Sequence, residues 1–89
     1  MMPAQAARAL AIANNHLYYT TETSGGVGGE VFRAQLISMA LPEKIAGVPD
    51  PSKDELRGIA VAGDFVYWGE VHYNTQSQFI GRIRGMRLP

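Results

Sequence analysis

The sequence predicts an all-β chain of two tandem four-stranded antiparallel meanders, the second lacking its last strand. Three observations predict it. First, residues 8–36 recur without a gap 49 residues later, as 57–85. Arg8/Arg57, Ala11/Ala60, Ala13/Ala62 and Tyr18/Tyr67 are identical. Leu10/Ile59, Ile12/Val61, Asn15/Asp64, Leu17/Val66 and Tyr19/Trp68 are conservative. A fixed period in this range marks a repeat architecture. Second, each copy holds a two-residue turn dipeptide, Asn14-Asn15 or Gly63-Asp64, of the kind that closes tight hairpins. Third, the β-branched and aromatic runs after those turns carry large apolar side chains on both faces. Leu17 and Tyr19 match Val66 and Trp68 on one face, and His16 and Tyr18 match Phe65 and Tyr67 on the other.

The first strand is read at 8–13. The Ala-rich stretch 4–13 also suits a helix, but its counterpart Gly58-Ile-Ala-Val-Ala62 does not, and repeats share structure. The second strand follows at 16–21, matched by 65–68. Residues 23–29 form the first hairpin tip, and the polar stretch 72–77 forms its counterpart. Third strands are expected over 30–36 and 78–84, with Val31-Phe32-Arg33 lying over Ile80-Gly81-Arg82. The first copy adds a short fourth strand within 41–48, and a stiff polar linker occupies 49–56. Two complete repeats would span 98 residues, and the chain has 89. The chain is thus one unit, 1–89, with one meander over about 8–48 and another over about 57–89, each the size of a propeller blade.

Composition narrows the function classes. The chain is 46% hydrophobic and 18% charged, with a formal net charge of zero. Neutrality argues against a general polyanion binder, because phosphate affinity rests on excess Lys and Arg. The absence of cysteine excludes disulfides and thiolate metal sites and leaves the compartment open. No apolar run approaches the roughly 18 residues that span a bilayer, and residues 1–6 lack the basic and apolar segments of a signal peptide. The expectation is no cofactor, no nucleic-acid partner and no membrane, with localisation unassigned.

Leu10-Ala-Ile-Ala13 with Leu17-Tyr-Tyr-Thr20 and Val31-Phe-Arg-Ala34 resembles a blade of the LDL-receptor class B (YWTD) propellers. Gly58-Ile-Ala-Val61 with Val66-Tyr-Trp-Gly69 and Ile80-Gly-Arg-Ile83 resembles one more closely. Both are similar, more loosely, to NHL and gluconolactonase-like propellers. The Asp that closes the YWTD motif is absent, with Thr20-Thr21 and Gly69-Glu70 in its place. The resemblance implies a six-bladed ring, of which this chain holds two blades at most. Three readings stay open: a piece of a longer propeller, a two-blade protomer that builds a ring from three copies, or a truncated product that folds differently. Exposed blade faces and edges invite association. The expected partner is therefore a second copy or the remaining blades of a parent propeller.

Residues able to carry chemistry have structural readings beside the functional ones. The glycine cluster at 25–29 could cradle a phosphate, but such loops lead from a strand into a helix and use a Lys. Here the cluster joins two strands. His16, Asp64, Glu70 and His72 are metal-capable, yet no HxH or HExxH spacing links them, and His16 aligns with Phe65 as a packing ring. A lactonase-like propeller implies a metal held by carboxylates and amides from several blades. Asn14, Asp54 and Glu55 are candidates for such a set, and turn chemistry explains them equally well. Arg82, Arg84 and Arg87 read as a solvated blade edge rather than a nucleic-acid patch. Arg33 and Arg82, at one repeat position, suggest stems packed over a neighbouring aromatic.

Tyr18, Tyr19, Tyr67 and Trp68 read as core rather than as a sugar-stacking surface, and Tyr73 is the exposed aromatic a lectin would use. Ser24, Ser38, Ser52 and Ser77 lie in connections without a GxSxG elbow. No catalytic, metal or ligand residue is assigned. The leading expectation is a non-catalytic binding or scaffold module. The alternatives are a subunit or piece of a metal-dependent lactonase-like enzyme, and a propeller lectin. Fold alone does not choose between them.

Overall fold

The computed structural model describes residues 6–22, 27–37, 40–75 and 77–89, which form two antiparallel sheets without a helix. The first sheet holds β1 (Ala6–Ala13), β2 (His16–Glu22), β3 (Glu30–Gln35) and β4 (Glu43–Gly47). The second holds β5 (Asp54–Ala62), β6 (Phe65–Tyr73) and β7 (Phe79–Arg87). Both are meanders in chain order, and neither closes on itself.

The repeat register holds to the residue across the first hairpin of each sheet. Tyr18 pairs with Ala11, and Tyr67 with Ala60. Asn14 and Asn15 both adopt left-handed φ angles, 53° and 62°, which a type I′ turn requires and Asn tolerates. In the second hairpin Gly63 is left-handed, at 58°. Each sheet's first strand takes in one extra residue at the same place, between Ala7 and Ala9 and between Leu56 and Ile59. The repeat-identical Arg8 and Arg57 sit in these bulges, where a bent strand re-aims its side chains.

The third strands depart from the expected register. Tyr18 pairs with Arg33, whereas Tyr67 pairs with Gly85, and Arg82 lies opposite Glu70. The counterpart of Val31 is therefore Ile83 rather than Ile80, and Arg33 and Arg82 do not share a repeat position. The cause is a longer second arm. Val71, His72 and Tyr73 pair with Gly81, Ile80 and Phe79, adding strand where the sequence suggested a loop. His72 and Tyr73 thus lie in β6, and β7 continues to Arg87.

The core lies between the sheets. Tyr18 and Val31 of the first meet Leu56, Val66 and Trp68 of the second, all five at most 4% exposed. Burying a side chain of this size contributes about 1.5–3 kcal/mol. Ile45 and Ala46 from β4, with Ile59, Val61 and Met86, pack around this centre. Polar ties cross the same boundary. Thr20 Oγ1 donates to the Arg57 carbonyl at 3.1 Å, and the Gly28 amide donates to the Asp54 carbonyl at 2.6 Å. That second bond docks the β2–β3 connection on β5.

Candidate interaction faces

Alternation along the strands sorts the repeat into a small-residue face and a large-residue face. In the first sheet the small face, with Ala9, Ala11, Tyr18 and Thr20, points into the core, and Leu10 and Ile12 point out at 60% and 64% exposure. In the second sheet the orientation is reversed. Ile59, Val61, Val66 and Trp68 point in, while Gly58, Ala60 and Tyr67 point out. The inward face of the first copy, centred on Tyr18 and Val31, thus packs on the large-residue face of the second.

Two apolar faces are left uncovered by the described residues. On the first sheet, Tyr19 stacks on Phe32 with ring centroids 5.5 Å apart, beside Leu10, Ile12 and the half-buried Leu17. Desolvation in this setting holds the Tyr19 phenol above its usual pKa. On the second sheet, Gly58, Ala60 and Gly69 floor an open groove of about 300 Å³, flanked by Tyr67 and Ile83. Tyr67 lies against Gly85, where an added Cβ would come within 2.7 Å of the ring.

A second feature is a set of acids at one end of the second sheet, which the sequence offered as metal or turn candidates and whose burial it did not announce. Asp54, Glu55 and Glu70 are all buried. Asp54 accepts from His72 Nδ1, from Arg82 Nη2 at 3.3 Å and from the Asp50 amide at 2.9 Å. Glu70 accepts from Trp68 Nε1 at 3.0 Å and from Arg82 Nε at 2.9 Å, with Arg84 Nε 3.5 Å away. Glu55 accepts from Tyr73 and from Arg57 Nη2, and pairs across the sheets with Arg8 at 3.1 Å. Each carboxylate is matched by donors of the chain itself, as buried charge requires. The only hint in the sequence is the Arg repeated at 8 and 57.

These contacts place the remaining candidates. Asp54 and Glu55, which turn chemistry could explain, are buried strand residues. Tyr73, expected to be exposed, is half-buried and bonded to Glu55. Arg82 and Arg84 are on the edge strand, as expected, but turn onto Glu70. The arginine stacked on an aromatic is Arg87, 5.2 Å above Phe65. Arg33 pairs with Glu43, which holds its guanidinium above the usual pKa. His16 packs 6.1 Å from Tyr18 and donates from Nδ1 to the Asn14 carbonyl. Asp64 is exposed, 3.9 Å from Arg87. Ser52 caps a turn on Asp50. Gly28 and Gly29 have φ of 78° and 116° between two strands. Ser24, Ser38 and the glycines at 25 and 26 lie outside the described residues. Among the described residues no three His, Asp or Glu side chains are grouped to hold a metal ion.

The chain matches no protein-family model, no curated protein and no solved structure.

Proposed function

We propose that this chain is a non-catalytic binding and scaffold module, a pair of propeller-type blades whose two outer sheet faces are docking surfaces for further sheets of the same kind. The observation that carries this reading is the pair of uncovered apolar faces flanking a well-packed internal contact. A sheet apolar on both faces is stable only between two others. Apolar patches of this kind mark interaction sites. The buried acids support the same reading, because their donors come from the chain and their geometry serves the fold.

The test uses the absence of native cysteine. Ile12→Cys and Ile83→Cys are labelled inside the producing cell with a permeant thiol reagent, against Lys53→Cys as an exposed reference. The expected outcome is strong protection at 12 and 83. Labelling as fast as at 53 would remove the docking reading.

A further inference from the structure

We infer that the partner on both outer faces is a second copy of this chain, docked head to tail. The large-residue face of one chain's first sheet covers the small-residue face of another chain's second sheet. This rests on the docking reading above and names the occupant.

The chain already contains one instance of the contact. Inside the molecule, Tyr18 and Val31 of the first copy, with half-buried Ala9 and Ala11 on the same strand face, are set against Ile59, Val61, Val66 and Trp68 of the second. Moving each set to its repeat counterpart gives the two uncovered faces. The large set becomes Leu10, Ile12, Leu17 and Tyr19. The small set becomes Gly58, Ala60, Tyr67 and Ile83. The last two equivalences follow the strand register, since Val31 pairs with Thr20, and Ile83 with the matching Gly69. The rings agree as well: His16 and Tyr18 are 6.1 Å apart, and so are Phe65 and Tyr67. The free faces are thus complementary to each other and not to themselves. Protruding Leu10 and Ile12 suit a groove floored by Gly58, Ala60 and Gly69.

A contact between two different faces is heterologous. It propagates until the rotation closes a ring or continues as a filament. The zero net charge sets no general repulsion between copies. Two polar ties of the internal contact have no counterpart between chains. Gly69 replaces the Thr20 hydroxyl, and Ala6 stands where a second Glu55 would be needed. The contact between chains therefore rests on apolar burial, and its strength should be insensitive to salt.

The experiment is light scattering on a sizing column with the full chain and two blocking variants. Ile12→Arg spoils the large face, and Ile83→Arg spoils the small one. Both positions are exposed, so both variants should fold, as circular dichroism would verify. Leu10→Glu and Ala60→Glu serve if either does not. The wild-type chain is expected at a whole multiple of its 9.7 kDa mass, in low and high salt alike. Each variant alone is expected at 9.7 kDa. Mixed in equal amounts, they should double in mass and stop, because each supplies the one face the other lacks. A variant that still self-associates, or a mixture that stays monomeric, would overturn the head-to-tail contact. If the wild-type chain runs as a monomer while positions 12 and 83 are protected in the cell, a different chain covers them. The inference then falls and the docking reading stands.

Discussion

Tyr18 and Tyr67 are the same residue of the same repeat, in the same register, yet Tyr18 is 1% exposed and Tyr67 is 40% exposed. Val31 and Ile83 differ more, at 0% and 75%. Local structure does not separate them, since both tyrosines lie on the second strand of a meander beside another ring. The neighbour separates them. The small-residue face of the first copy has the second sheet against it, and the same face of the second copy has nothing against it among the described residues. Burial in a repeat is a property of the stack, because one unit cannot cover both of its own faces.

The sharpest way to break this comparison is to truncate one repeat position in both copies. Trp68→Ala should cost about 3–5 kcal/mol, as for a buried aromatic. Tyr19→Ala, at the matching position, should cost dilute monomer only about 1 kcal/mol, the value of its stack on Phe32. Urea unfolding at a concentration where the chain is monomeric measures both, and equal losses would contradict the face assignment.

The buried acids sharpen the contrast. Glu70→Ala strips the acceptor from the Trp68 indole and Arg82, so a loss of about 1–3 kcal/mol is expected. Its counterpart Thr21 bonds the Glu30 backbone instead. Thr21→Ala should cost about 1 kcal/mol, the net value of an ordinary hydrogen bond. The same unfolding series compares the two.

Gly85→Ala acts on the uncovered face alone. Its Cβ would displace the Tyr67 ring, at a cost of about 1 kcal/mol for overpacking on a surface that can yield. Shifted Tyr67 ring resonances, with Tyr18 unmoved, are the expected signature in NMR spectra.

The smallest effect lies in the segment joining the copies. Hydrogen bonds from the Ser52 hydroxyl and amide hold the Asp50 carboxyl below its usual pKa. A depressed folded-state pKa adds stability above the ordinary carboxylate range, and that stability is lost as pH falls through the lowered value. Ser52→Ala should therefore be slightly less stable than wild type at neutral pH and equal to it once Asp50 is protonated. Paired melts across the acid range would show the two curves converge.

Much of this architecture was legible in the residues. Asn14-Asn15 and Gly63-Asp64 announced the hairpins because left-handed φ is a local demand few residues meet. Leu17, Tyr18 and Tyr19, with their counterparts, announced two apolar faces because side chains alternate with period two. The end of β6 was not legible. Gly69-Glu70 looks like a break, and only the Trp68 indole and Arg82, brought close by the sheet, make a buried glutamate tolerable there. The same limit hid the burial of Asp54 and Glu55: Arg57 is a local partner of Glu55, but Arg82 comes from β7 and Arg8 from the other sheet.

The sequence by itself determined two antiparallel meanders with matching first hairpins, apolar on both faces, because turn chemistry and strand alternation act within a few residues. Tertiary structure alone decided the three-residue offset of β7, the burial of three carboxylates, and which small face is covered. Those depend on partners distant in sequence, whose desolvation and packing no local pattern records.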